Sequence, residues 1–190
     1  MFSKNNPYQM DFAKIFGNAK DIVSLKMDIM KLIAGKKNLL QEVVMLTFLS
    51  SFAAALGRYL FPVSVGDLVL YRPEPLDVVW QTIGGVVISL IILYVMGAIS
   101  EHLFKTKVKM ESFVWVMGYA SILGFLQIIP ALGIVAGIWS LVVLWKFMSE
   151  IGGMKAMPFV GFLLLSALIV FIIPNVFSVL GLGSFMALGY

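Results

Sequence analysis

The chain has 190 residues, of which 61% are apolar and only 13% charged; its formal net charge is +4 and its mean hydropathy +0.99. A soluble globular domain carries about a quarter charged residues, so a water-soluble globule is excluded. The absence of cysteine and the single histidine, His102, exclude disulfides, thiolate sites and multi-histidine metal sites, so no metal or other cofactor is expected.

In chain order, residues 1–37 come first. Phe12, Ile15, Phe16, Ala19, Ile22, Val23, Ile29, Met30 and Ile33 recur at helical spacing, with Asp11, Lys14, Asn18, Asp21, Asp28 and Lys31 on the opposite side. This pattern is an amphipathic helix, or two joined at Gly17. Beside a membrane it either lies in the interface with its apolar face down or packs on the ends of membrane spans, and the two readings are compatible.

Residues 38–190 read as a single transmembrane domain, which makes the fold class an all-α membrane protein. A first span is expected over residues 39–61, with Glu42 and Arg58 near its ends, where long polar side chains reach the interface. A loop follows; its β-like run over residues 63–70 is bracketed by prolines and reads as structured loop. The second span covers residues 78–100.

No charged side chain occurs from Ser112 to Trp145, nor from Ala156 to Tyr190. About 20 apolar residues cross a bilayer as a helix. The first run holds either one long kinked span or two short ones separated at Pro130-Ala131-Leu132-Gly133, and the split is preferred. It gives spans over residues 113–130 and 132–148, each at the short limit, with Trp115 and Trp145 at one interface. The fifth span is expected over residues 157–173, stopping at Pro174. Residues 175–190 form an apolar tail, read as partial or re-entrant.

Twelve lysines precede the first span or lie in the connectors after the second and fourth spans, whereas Arg58 and Arg72 stand on the other side. Positive charge stays on the cytoplasmic side of short loops. Five spans with the N-terminus cytoplasmic and the C-terminus on the opposite side satisfy that rule at every connector. The positive balance is therefore topological and gives no support for nucleic-acid binding.

Residues 111–173 resemble the Yip-domain family, five-span membrane proteins named for binding Ypt/Rab GTPases. The resemblance is carried by Gly118-Tyr119-Ala120, by Pro130 at a very short hairpin, by Trp139, and by the Gly-Met-Lys-Ala of residues 153–156. It implies an adaptor or membrane-organising role without catalytic residues; eukaryotic members contact prenylated GTPases and transport-vesicle components at endoplasmic reticulum and Golgi membranes. The chain lacks the long polar N-terminal region and the Asp-Leu-Tyr-Gly-Pro tract associated with the eukaryotic branch. That departure points to a prokaryotic relative in the cell membrane.

Several residues are candidates for function. Gln81, Gln127 and Ser121 are polar at membrane depth and either bond between helices or line a cleft for a small solute or lipid headgroup. Lys14, Lys20, Lys105, Lys107 and Lys109 are placed to meet a cytoplasmic protein partner or anionic lipid. Glu101 and His102 form a candidate proton-responsive pair, or a solvated helix end. Gly133 and Gly137 at GxxxG spacing allow close helix approach, within the chain or in a homo-oligomer. Glu42 is either a coupling carboxylate or an interfacial partner of Lys36 and Lys37. With one histidine, no cysteine and no aspartate in any span, an enzymatic role is not expected. The two functional readings are an adaptor of the Yip type and a small transporter or channel-like conduit around Gln81 and Gln127.

Overall fold

The computed structural model describes residues 11–65, 68–71 and 73–177. Two short helices lead the chain, α1 (Phe12–Val23) and α2 (Met27–Ala34). Asp11 caps α1 by accepting the Lys14 N–H at 3.1 Å, which satisfies one of the orphan donors of the first turn. The joint between the helices is not at Gly17, which lies inside α1 with open space where a Cβ would be. It falls at residues 24–26, where Leu25 takes a left-handed φ of 63°. A single glycine in a helix costs only about 1 kcal/mol, and the packing of both flanking turns outweighs it.

Among the described residues, five helical segments are long and apolar enough to cross a membrane: Leu40–Leu60, Pro75–Leu103, Met110–Ile128, Pro130–Glu150 and Ala156–Val176. The protein is a multi-pass integral membrane protein with an all-α spanning domain. The spans are α3 (Leu40–Leu60), α4 (Pro75–Ala98), α5 (Met110–Ala120), α6 (Pro130–Glu150) and α7 (Ala156–Phe177). A π-turn, Ile99–Leu103, extends α4, and a 3₁₀ segment, Ser121–Ile128, extends α5.

Four local expectations are corrected. The run after α3 is a small antiparallel hairpin, β1 (Val63–Val65) with β2 (Leu68–Tyr71), bulged between Val63 and Ser64. The second span begins at Pro75 rather than residue 78, because Glu74 and Asp77 form a reciprocal capping box and Pro75 suits the first helical position. Pro174 does not end the fifth span: α7 runs through it to Phe177. Proline within a membrane helix is tolerated where local adjustments and neighbouring groups take up the loss, and beside it the Asn175 side chain donates to the Phe171 carbonyl at 2.6 Å. Residues 178–190, and with them most of the expected re-entrant tail, lie outside the described residues.

The fourth correction concerns the third span. It does divide from the next helix at Pro130, but its second half is 3₁₀ for eight residues. At about 1.5 Å rise per α residue and about 2.0 Å per 3₁₀ residue, the combined segment reaches about 32 Å. The tighter winding lets a 19-residue span match a hydrocarbon core of about 30 Å.

Glycines set the register between spans. A Cβ on Gly118 would meet Val43, one on Gly124 would meet Ser50, and one on Gly57 would meet the backbone of Gln127 and Ile128. The pairs advance together, so α3 and the third span run side by side in the same direction. Gly97 against Met110 and Gly85 against Ser51 fix α4 antiparallel to both. All connectors bearing lysine therefore gather at one end of the bundle. There the Lys107 N–H bonds the Gly152 carbonyl at 3.2 Å, tying two connectors together.

The main core fills the lysine-bearing half. Val43 and Leu46 of α3, Phe113, Val114 and Tyr119 of α5, Phe147 of α6 and Phe162 of α7 are fully buried in one cluster. Ile15, Ala19 and Ile22 of α1, with Met30 and Ile33 of α2, belong to the same cluster. The N-terminal pair is thus a docked part of the fold: α1 lies on α5 and α6, α2 on α5. Two side chains pin it from the bundle. Ser112 Oγ donates to the Ala34 carbonyl at 2.7 Å, and Trp139 Nε1 to the Val23 carbonyl at 2.8 Å. Phe12, Phe16 and Leu32 remain exposed beside the buried stripe, so the apolar face is wider than its footprint on the bundle.

Candidate functional site: a polar cavity among the spans

A cavity of about 190 Å³ opens among α3, α4, α7 and the 3₁₀ segment, in the half of the bundle away from the lysines. Its polar wall is Ser50, Ser51, Arg58, Gln81, Ser89 and Gln127. Of the two sequence readings for Gln81 and Gln127, bonds between helices or the lining of a cleft, the second put them in one place, and both residues line this cavity from different elements. Gln81 is 5% exposed on α4, while Gln127 comes from the last turn of the 3₁₀ segment.

The two serines explain how polar groups fit here. Successive helical residues point about 100° apart, so Ser50 and Ser51 face different neighbours. Each meets a glycine: a Cβ on Gly124 would stand 1.9 Å from Ser50 Oγ, and one on Gly85 3.0 Å from Ser51 Oγ. Neither serine was singled out from sequence, although a serine pair in one span with glycines in two others is a readable signal. The Arg58 guanidinium reaches back so that Nε donates to the Ala54 carbonyl at 3.4 Å. Val170 and Pro174 of α7 close the wall. Because Pro174 has no N–H, the carbonyl four residues earlier, that of Val170, receives no helical bond from it.

Among the described residues, the wall supplies amide and hydroxyl groups and one guanidinium. Such a wall is able to hydrogen-bond a polar group. The volume is below the about 300 Å³ at which usual small-molecule pockets begin, so only a small group fits. No protein-family model, curated protein or solved structure matches the chain. Its site is therefore read from its own geometry.

Other candidates fall elsewhere. Ser121 is not in the cavity; its hydroxyl donates to the Gly118 carbonyl at 2.6 Å. Thr82, Ser140 and Ser166 likewise bond carbonyls four residues back, a local satisfaction that competes with bonds between helices. Glu101 and His102 do not bond each other. Glu101 Oε2 accepts the Met110 N–H at 2.6 Å, capping α5, and His102 is exposed. Gly133 meets Gln127 at van der Waals distance, but nothing lies within 4 Å of a Cβ on Gly137, so within the chain the GxxxG pair makes one contact and leaves one open face. Lys105, Lys107 and Lys109 are exposed at the connector end, and Lys14 is exposed on α1. Lys20 is set apart from them, beside Leu49 of α3 and Leu126 of the 3₁₀ segment.

Glu42, in the first turn of α3, accepts a hydrogen bond from the hydroxyl of fully buried Tyr119, with Lys36 and Lys14 as the cations that act on it. The Tyr119 ring thus ties α5 to α3 above the packed core. Tyr119→Phe leaves the carboxylate without this donor and is expected to cost about 1–3 kcal/mol. A lowered thermal unfolding midpoint in detergent checks this, and Glu42→Gln in the same background is expected to recover part of the loss.

Proposed function

We propose that the protein is a non-enzymatic adaptor or membrane-organising protein of the kind the Yip-domain resemblance implies. In this reading its N-terminus and lysine connectors face the cytoplasm, in the cell membrane of a prokaryote. One observation carries it. The amphipathic pair α1–α2 is spent on the bundle through Ile15, Ala19, Ile22, Met30 and Ile33, which leaves Asp11, Lys14, Asp28 and Lys31 presented outward on a rigid support. A charged face held on the bundle is suited to recognising a protein surface, and Lys105, Lys107 and Lys109 add positive charge at the bundle end.

Photo-crosslinking in native membranes from positions 14 and 107 tests this. The expected result is one protein captured from both positions and reduced at least tenfold when the neighbouring exposed lysines are reversed by Lys31→Glu with Lys109→Glu. Capture that survives both charge reversals counts against the adaptor reading.

The polar cavity favours a second reading, a small-solute carrier or conduit around Gln81 and Gln127. Against free passage stands the apolar packing on its lysine side, where Val43, Leu46, Phe113, Phe147 and Phe162 are buried. A conduit must move this core. Reconstituted vesicles in which Gln81→Leu with Gln127→Leu leaves solute flux unchanged would remove the second reading.

A further inference from the structure

A second cavity, of about 520 Å³, lies beneath α1 on the outer side of the third span. Its walls are apolar, formed by Phe16 and Val23 of α1, Leu49 of α3 and Leu123 and Leu126 of the 3₁₀ segment, and its one charged member is Lys20. The volume is within the range of about 300–1,000 Å³ typical of small-ligand sites. We propose that this groove holds one acyl chain of an anionic phospholipid from the surrounding bilayer, with the headgroup phosphate paired to Lys20.

The 3₁₀ winding accounts for the groove. With three residues per turn, side chains stack in straight rows. Gly124 and Gln127 form the row that faces α3 and the polar cavity, while Ile122 with Phe125 and Leu123 with Leu126 form two rows that turn outward. A helix docked across straight rows leaves a channel under it, and α1 crosses at this place, anchored at Val23 by Trp139. Phe125 and Leu126 are 48% and 39% exposed, so the channel opens on the surface that faces lipid. An apolar cavity stays dry. Lipid chains are the solvent on this side and the one apolar occupant always present.

Charge then selects among lipids. A lysine against an apolar wall extends its stem along that wall and keeps its ammonium at the rim. Among the described residues Lys20 has no ion-pair partner, while the neighbouring carboxylate of Asp21 is already held by Lys26 at 2.8 Å. The ammonium at the mouth of an acyl-chain groove thus lacks an anion, and a phosphate group supplies it. The site is independent of the adaptor reading, since its walls face the bilayer and not the connectors.

Native mass spectrometry of the full-length protein, ejected from bilayer discs of equal phosphatidylglycerol and phosphatidylcholine, tests the proposal. Wild-type protein is expected to retain one phosphatidylglycerol in preference to phosphatidylcholine by about fivefold, the factor expected of one lysine at a membrane surface. Lys20→Gln, a surface change, should bring the ratio to near one, whereas Lys105→Gln should leave it unchanged. Leu126→Trp, which fills the groove, should remove retention of both lipids. An unchanged ratio in Lys20→Gln, or in its place a retained free fatty acid or a second copy of the chain, overturns the proposal.

Discussion

Gly57→Ala is expected to destabilise the bundle more than any other single methyl addition among the described glycines that touch backbone across a helix interface. The new Cβ would stand 2.5 Å from the Gln127 carbonyl oxygen and 2.9 Å from the Cα and carbonyl oxygen of Ile128. These are backbone atoms, so no rotamer change relieves the overlap and α3 must part from the 3₁₀ segment. Overpacking costs typically about 1–3 kcal/mol, and the rigidity of both partners places this site at the upper end. Gln127 moves with its backbone, so the polar cavity changes as well. Gly137→Ala is the counterpart: with nothing within 4 Å, only helix propensity acts, a gain of up to about 1 kcal/mol. Unfolding midpoints of the two variants in detergent should move in opposite directions. Equal midpoints would mean that α3 does not approach the third span this closely.

Ile22→Asp is expected to release α1 while leaving the spans in place. Ile22 is fully buried between α1 and the bundle, and a carboxylate there is an unpaired buried charge, among the few mechanisms that cost more than about 4 kcal/mol. The Ser112 and Trp139 contacts to the N-terminal carbonyls, each worth about 1 kcal/mol, cannot offset it. Undocking α1 spares α3 to α7, whose glycine contacts are made without it. Hydrogen exchange resolves the difference: amides of α1 should exchange on the order of a thousandfold faster, as a loss of about 4 kcal/mol of local stability requires, with α5 amides near their wild-type rates. Uniform acceleration across the chain would show that α1 is integral to the whole bundle.

The spans were legible because their information is local. Hydropathy over about 20 residues decides whether a segment crosses, and Pro130 divides the long apolar run whatever surrounds it. The amphipathic stripe of α1 and α2 was readable for the same reason, since a 3.6-residue period is a property of neighbouring residues. The start of α4 was equally available in Glu74-Pro75 with Asp77, a local box that hydropathy alone overlooks.

What misled the reading were rules whose outcome depends on a partner. Pro174 ends a helix in water, but here α7 continues through it to Phe177, with Pro174 itself packed against the polar cavity. Gly17 suggested a joint, yet α1 continues through it and the chain turns at Leu25. Glu101 beside His102 allows a pair or a solvated helix end; the N–H at the start of α5 takes the carboxylate and His102 stays exposed.

Composition and periodicity by themselves determined that this chain enters a membrane, which of its segments are apolar enough to cross, which connectors carry its lysines and which face of its first helices is apolar. Tertiary structure alone decided that this face docks on the bundle, that the third span tightens to 3₁₀ where Gly57 and Gly124 admit α3, and that Gln81 and Gln127 meet beside Arg58. The physical reason is the range of the interactions. Transfer of a segment into lipid is summed residue by residue along the chain, whereas a close approach between helices depends on which two surfaces face each other, and no single segment contains both.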